Sequence, residues 1–195
     1  LNLSYVRSFG SGFYVRAHAG LLEPFFAGLG GEVLYKAAQS PFAFGFDIHR
    51  VRKRDYDMRF DLLDYKTTIG HFSIYYDAGN MFDVEVNLGR YLAGDWGATT
   101  TISRKFGSGW EIGGYATFTN VPFHKFGEGS FDKAIYLTVP LDWIISAPNR
   151  SKRRLTLRPI TRDGGANLAS ARKLYRYIEN SQKSQFQREF GRLWR

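Results

Sequence analysis

The stretch FDVEVNLGRYL, residues 82–92, decides the fold, because apolar and polar side chains alternate along most of it. Phe82 and Leu88 belong to one face of the strand that this pattern predicts, and Asp83 and Glu85 belong to the other. One face therefore meets an apolar medium and the other a polar one. The stretch is interpreted as a β-strand, because its apolar residues recur at every second position over most of its length.

The same alternation recurs along the chain, for example in IYLTVPLDW at residues 135–143. Segments of about 10 residues with alternating polarity are typical of transmembrane β-barrels. We therefore predict an all-β fold, a transmembrane antiparallel up-and-down barrel section of about 9 or 10 strands that belongs to a larger barrel. The predicted strands are Leu1–Arg7, Phe13–Leu22, Phe25–Ala37, Phe42–Arg52, Tyr65–Asp77, Phe82–Ala93, Asp95–Phe106, Trp110–Val121 and Lys133–Ile145.

The composition is consistent with a barrel and excludes a helical membrane protein. Aromatic residues make up 17% of the 195 residues, yet no apolar run reaches the roughly 18 residues of a membrane helix. The chain has no cysteine, so it offers no disulfide, thiolate metal site or cysteine nucleophile.

The positive charge is confined to one end of the chain. Residues 1–149 carry 14 Lys and Arg against 15 acidic residues, whereas residues 150–195 carry 13 against 3. This shift predicts two parts, a barrel section at residues 1–145 and a basic tail at residues 146–195. A nucleic-acid-binding protein is disfavoured, because its basic residues would share the strand faces that bear the aromatics.

Two predicted links are long, at residues 53–64 and 120–132, and both fall on the same side of an up-and-down meander. Outer-membrane barrels place long loops outside and short turns in the periplasm. On this basis the ninth strand ends in the periplasm and the tail follows it there. An odd strand count that starts outside predicts missing strands before Leu1, so we expect a section of a longer chain.

Four stretches carry a resemblance to a known family: GRYLAGDWGAT at residues 89–99, NVPF at 120–123, FGEGSFDK at 126–133 and RPITRDGGA at 158–166. They resemble the C-terminal part of the YjbH-type exopolysaccharide outer-membrane proteins. The resemblance implies an outer-membrane protein encoded with capsule or exopolysaccharide secretion genes. It also implies a long chain with more than one barrel, usually lipid-anchored at its N-terminus. The family offers no established catalytic residues.

The polar strand faces combine carboxylates with aromatic rings, which are the groups that hold sugars through hydrogen bonds and stacking. The alternative is that a barrel interior is polar simply because its groups satisfy one another. The candidates for a polysaccharide path are Asp83, Glu85, Asp95, Glu111, Tyr115, Tyr136 and Asp142.

Catalysis is not predicted. His18, His49 and His71 fall on the polar faces with Ser73, so a hydrolase constellation is conceivable. Alternation alone also places polar residues there, and no metal-ligand or nucleotide-binding motif occurs. We expect no catalytic residue, no metal and no cofactor.

The tail shows helical spacing of apolar residues around Leu174 and again around Phe190, which predicts one or two amphipathic basic helices. Such a tail could lie on anionic lipid, grip an acidic polymer, plug a pore from the periplasm, dock to a partner, or simply pack under the barrel as a solvated helix. Its candidate residues are Arg153, Arg154, Arg172, Arg176, Arg188 and Arg192.

Together these observations predict a non-enzymatic component of exopolysaccharide or capsule secretion in the outer membrane of a Gram-negative bacterium, with its tail in the periplasm. The alternatives are a general porin and, ranked below it, an outer-membrane hydrolase. The expected partners are outer-membrane lipid, an acidic or neutral exopolysaccharide, missing barrel strands or a second chain, and other polysaccharide-export proteins. No nucleic acid is expected.

Overall fold

In the described part of the chain, ten antiparallel strands form one sheet, in which each strand pairs with its neighbours in sequence. The computed structural model describes residues 1–57, 59–79, 81–125, 131–141, 151–159, 164–168 and 173–179. The predicted all-β antiparallel meander is confirmed by this order. Among these residues, no helix combines the length and the apolar character needed to cross a membrane.

The strands agree closely with the nine predicted segments and add a tenth. A 3₁₀ turn, Phe123–Lys125, precedes β9, and a short helix, α1 (Leu174–Ile178), follows β10. The strands are β1 (Asn2–Gly10), β2 (Phe13–Glu23), β3 (Phe26–Tyr35), β4 (Phe42–Arg54), β5 (Leu62–Asp77), β6 (Phe82–Arg90), β7 (Trp96–Lys105), β8 (Glu111–Thr119), β9 (Asp132–Pro140) and β10 (Lys152–Leu157).

The sheet has two open edges, β1 and β10, and no pairing joins them within the described residues. Both edge strands are exposed along their whole length. The structure therefore confirms the strands and their order, while the described strands do not close into the predicted barrel.

The tenth strand corrects the prediction for the basic region. Residues 152–157 were assigned to the tail, but they pair with β9, with Leu155 opposite Leu137 and Leu157 opposite Ile135. The cluster of basic residues hid a short alternation of the same kind as in the other strands. The described residues form ten strands, so the odd count from which missing strands before Leu1 were predicted does not hold for them.

The tenth strand also changes the sorting of loop lengths. The fourth link shortens to residues 55–61, the eighth spans 120–131, and the ninth, at residues 141–151, is of similar length but leaves the opposite end of the sheet. Long links therefore occur at both ends, and the loop lengths no longer assign one end to the outside. We call the end with the second, fourth, sixth and eighth links the even end and the opposite end the odd end.

Tight glycine turns join strands at the odd end, for example at the stretch FGSG, residues 9–12. Gly10 and Gly12 have φ values of 78° and 86°, in the left-handed region that glycine adopts without steric cost. A Cβ on Gly12 would collide with the backbone of Lys36 in the next turn. The small residue thus allows two neighbouring turns to pack together.

The two faces of the sheet are inverted relative to a soluble protein. On β4, Phe44, Phe46 and Ile48 are exposed, whereas Asp47 and His49, which alternate with them, are buried. The same contrast runs through β4, β5 and β9, as the alternation predicted. We call the exposed side the outer face and the buried side the polar face.

Residues 164–168 and 173–179, which we call the strap, lie against the polar face. Leu168 joins a buried apolar cluster with Leu22, Val51, Ile69 and Leu92. A second cluster contains Leu174 and Tyr175 from the strap together with Leu34, Ala43 and Tyr75 from the sheet. These two clusters place apolar side chains within the polar face.

The strap spans the length of the polar face. The Ala166 carbonyl accepts a hydrogen bond from the Leu92 amide beside the start of β7, and Glu179 contacts Lys105 at the end of β7. The short helix α1 is also in contact with β2 and β3. Strands lie about 4.8 Å apart, so a five-residue helix that reaches from β3 to β7 requires the sheet to curve around it.

Candidate functional site

An ion-pair network joins the strap to the wall of the sheet, with Lys173 near its centre. The Lys173 ammonium donates to Ser73 Oγ at 2.9 Å and to the side-chain oxygen of Asn87. It lies 3.6 Å from a Glu85 oxygen and 3.9 Å from an Asp47 oxygen. One strap cation therefore contacts polar groups of β4, β5 and β6.

Arg176 continues the network toward the odd end. Its guanidinium lies 3.0 Å from Glu85 and 3.1 Å from Glu179, and Glu179 also pairs with Lys105. Lys105 lies 3.1 Å from Asp83. Charges of opposite sign thus alternate from the strap to the wall and back.

Arg176 stays cationic in this position. Burial by itself lowers the pKa of its guanidinium, but the carboxylates of Glu85 and Glu111 raise that pKa by more, so it lies above its usual value. The charge that holds the strap to Glu85 is therefore retained throughout the physiological pH range.

The backbone and rings of α1 are also fixed by the wall. The Leu174 amide donates to a Glu32 oxygen at 2.8 Å, and Glu32 pairs with Arg16 at 2.7 Å. The Tyr175 ring stacks on Tyr75 with centroids 4.0 Å apart and planes 7° from parallel. Because α1 has only one turn, these wall contacts rather than helix propensity hold it in place.

The even end of the strap is held by backbone groups. The Gly165 amide donates to Asp95 Oδ2 at 2.8 Å. Gly165 has a φ of 66°, and a Cβ there would collide with the Thr117 side chain. Arg158, just before the strap, lies 3.1 Å from Asp132.

The three histidines share the polar face with this network. Asp47 Oδ2 lies 3.4 Å from the Nδ1 atoms of both His49 and His71, and the rings of His18 and His49 are 4.9 Å apart. Ser73 donates to Asn87 and accepts from Lys173, and no hydrogen bond joins it to His71 among the described residues. The part of the chain that the structure describes contains no group of His, Cys, Asp and Glu arranged to hold a metal ion.

The described path candidates all lie on the polar face, and each contacts another group of the protein. Asp83, Glu85 and Asp95 belong to the network and to the strap contact given above. Tyr136 donates to Glu111 at 3.1 Å, and Tyr115 lies 3.4 Å from Asp132. Asp142 falls outside the described residues. This arrangement matches the alternative in which interior polar groups satisfy one another.

The tail candidates separate into different environments. Arg153 is exposed on β10, whereas Arg154 contacts Thr138 at 3.1 Å and covers the Tyr136 ring. Arg176 lies in the strap. The remaining candidates, Arg172, Arg188 and Arg192, and the second predicted helix fall outside the described residues.

Sequence reasoning missed the residues at the centre of the network. Asp47 and Glu32 occupy polar positions in alternating strands, so the same pattern that selected Glu85 could have selected them. Lys173 carried no distinguishing signal, because it is one of 13 basic residues in residues 150–195. Only its position against three strands sets it apart.

The fold and this site define a class: an all-β protein whose antiparallel sheet has a buried polar face, an exposed apolar face and a strap held by ion pairs. The chain belongs to the family described as "Exopolysaccharide biosynthesis protein YbjH", whose profile matches residues 1–180. The resemblance stated from the sequence is thereby confirmed.

One relative is the protein described as "Uncharacterized lipoprotein YjbH" of Escherichia coli (strain K12). It is 42% identical over 180 residues, which cover 90% of this chain and 26% of that protein. The chain thus spans about a quarter of its relative's length. A lipoprotein relative is consistent with a location in the cell envelope. No solved structure matches the chain.

Proposed function

We propose that this chain forms part of an outer-membrane β-barrel that lines a path for an exopolysaccharide during its secretion, without catalysing a reaction. The observation that carries the proposal is the inversion of the two faces. Apolar rings cover the outer face, while carboxylates, histidines and hydroxyls fill the polar face. Family membership connects the chain with exopolysaccharide.

The outer face has the properties expected of a lipid-facing surface. Its strands have 9 to 16 residues from β1 to β9, and about 9–11 tilted residues cross a hydrocarbon layer. Aromatic pairs lie at the odd end, where Phe42 stacks on Tyr76 and Phe13 contacts Tyr35, each pair at 4.7 Å. Such pairs suit a membrane interface, which favours amphipathic rings.

The position of the strap favours a path that opens only when the strap is displaced, rather than a permanently open pore. It occupies the polar face and uses Glu85, a path candidate, to hold Lys173 and Arg176. We propose that the strap acts as an internal plug, and that its displacement exposes the acidic and aromatic groups of the wall to the polymer. A general porin remains the alternative, distinguished by uptake of small solutes.

A strain that lacks the full gene tests the proposal. We expect it to lose surface polymer and to accumulate polymer in the periplasm, and the full-length wild-type protein should restore export. Complementation with Glu85→Ala should change the amount exported while the protein remains in the membrane fraction. Asp61→Asn, in the exposed fourth link, is the matched control and should behave as wild type.

Three outcomes would contradict the proposal. Normal surface polymer in the deletion strain would remove the role in export. Reduced uptake of small solutes with normal polymer would favour a porin. A hydrolytic activity of the purified full-length protein that disappears in His71→Ala would favour the hydrolase.

A further inference from the structure

Four cations cluster on the outer face, where the rest of that face is largely apolar. Arg50 and Arg52 follow Phe46 and Ile48 on the same side of β4 and are displaced toward the even end. Lys66 lies opposite Arg52 on β5. Arg90, on β6, lies opposite Gly70, which in turn pairs with Ile48. We call these four residues the outer basic cluster.

The register brings these charges within reach of one another. Directly opposed residues in an antiparallel sheet have Cβ atoms about 5 Å apart, and residues two apart along a strand are separated by about 7 Å. Arg90 lies on β6, two strands from β4, so its backbone is roughly 10 Å from β4 across the sheet. The flexible side chains can therefore converge on an area the size of one or two phosphate groups.

Few protein groups neutralise the cluster. Arg52 lies 3.6 Å from Asp64, whose side chain is fully exposed, and donates to the Leu63 carbonyl at 2.6 Å. Arg90 donates to the Gly94 carbonyl at 3.3 Å. Arg50 and Lys66 form no ion pair among the described residues. By contrast, Arg16, Lys105, Lys173 and Arg176 on the polar side are each paired with a carboxylate.

The opposed pair Arg52 and Lys66 points to an external anion. Like charges placed directly opposite one another destabilise a sheet, and within the described residues this pair has one ion pair, that of Arg52 with Asp64. Guanidinium and ammonium groups bind phosphate through charge-assisted hydrogen bonds. An anion held between them would remove the repulsion.

We propose that the outer basic cluster binds the phosphate groups of an anionic membrane lipid whose chains lie along the adjacent apolar surface. The proposal rests on the membrane location proposed above. The apolar surface argues for a lipid rather than a soluble anion, since Phe46, Phe72 and Leu88 are exposed beside the cluster. Trp96, opposite Arg90 and 62% exposed, adds an aromatic ring of the kind found at membrane interfaces.

The test uses the full-length protein in phosphatidylcholine nanodiscs with and without phosphatidylglycerol, and native mass spectrometry counts the phosphatidylglycerol retained after the discs are dissociated. The triple variant Arg50→Gln, Arg52→Gln, Lys66→Gln removes three charges from the cluster. Its matched control removes three scattered outer-face charges near the odd end, through Arg7→Gln, Arg104→Gln and Arg153→Gln.

We expect the cluster variant to lose affinity for phosphatidylglycerol by about fivefold for each charge removed, because each basic residue near an anionic surface contributes about that much. The scattered control should retain the lipid. A separate double variant, Arg50→Lys with Arg52→Lys, keeps both charges and should retain most of the wild-type binding. Equal lipid retention by the cluster variant and the control would overturn the proposal. So would displacement of the lipid by inorganic phosphate or by an acidic polymer at matched ionic strength.

Flotation with vesicles separates this inference from the proposed function. If the protein floats with the membrane but the cluster variant retains lipid normally, only the lipid site is wrong. If the wild-type protein does not float, both proposals fail.

Discussion

Replacing Glu85 by glutamine should release the strap while the sheet stays folded. Glu85 holds two strap cations, Lys173 at 3.6 Å and Arg176 at 3.0 Å, and its own side chain is only 14% exposed. Glutamine keeps the size of the side chain and an oxygen that can accept the 2.9 Å hydrogen bond from Asn87. The substitution thus removes the charge and little else.

The substitution makes the free energy of strap docking less favourable because it leaves Lys173 and Arg176 without the carboxylate that they share. Removing one partner of a buried ion pair costs about 3–5 kcal/mol, and the lower end applies because Arg176 is 30% exposed. Burial of Leu174 and Tyr175 opposes release with about 1.5–3 kcal/mol each. A loss of about 3 kcal/mol should raise the population of the released strap roughly a hundredfold without unfolding the sheet.

Limited trypsin digestion of the full-length protein in detergent measures this population, because cleavage after Arg176 requires the strap to leave the wall. The cleavage rate should rise about a hundredfold in Glu85→Gln and stay unchanged in Asp61→Asn. Arg176→Gln removes the ion pair with Glu85 from the strap side. Because this variant lacks the cleavage site at residue 176, the rate of cleavage after Lys173 measures release of its strap. Wild-type cleavage rates in both network variants, with the sheet intact by circular dichroism, would refute the reasoning.

Three further predictions concern packing and the outer face. Tyr175→Ala removes the stack on Tyr75 and should destabilise strap docking by about 3–5 kcal/mol, seen as faster amide exchange in residues 173–179. Gly165→Ala places a Cβ against a threonine side chain at a positive φ and should loosen the even end of the strap in the same exchange measurement. Gly107→Ala, where a Cβ meets nothing within 4 Å, should leave exchange unchanged. Phe46→Arg should destabilise the membrane-inserted protein by about 2–4 kcal/mol in a urea titration in lipid if that face contacts hydrocarbon, and a smaller loss would contradict lipid exposure.

Alternation alone predicted the strand positions and the side to which each residue turns. The predicted polar-face residues Glu85 and Tyr136 lie on the polar face, while Phe82 and Leu88 are exposed. This success has a local cause, because successive side chains of any strand point to opposite faces. The strand ends were less accurate where a charged segment continued the pattern, as at the end of β4, which runs to Arg54.

The basic region was the part that sequence reasoning described least well. Its charge density suggested one tail beyond the sheet, whereas residues 152–157 pair with β9 and residues 173–179 lie on the polar face. Six residues carry too short an alternation to stand out. The acidic wall that attracts the basic residues is distributed over strands far away in the chain.

The amino-acid sequence by itself determined the strand order, the polarity of the two faces and the family, since these depend on side-chain period and on local motifs. Tertiary structure decided which charges meet. Lys173 contacts Ser73 and Asn87 from 100 and 86 residues away, and the Leu174 amide reaches Glu32 across 142. Such pairs exist only after the sheet has curved around the strap, because no local pattern encodes the distance between groups so far apart in the chain.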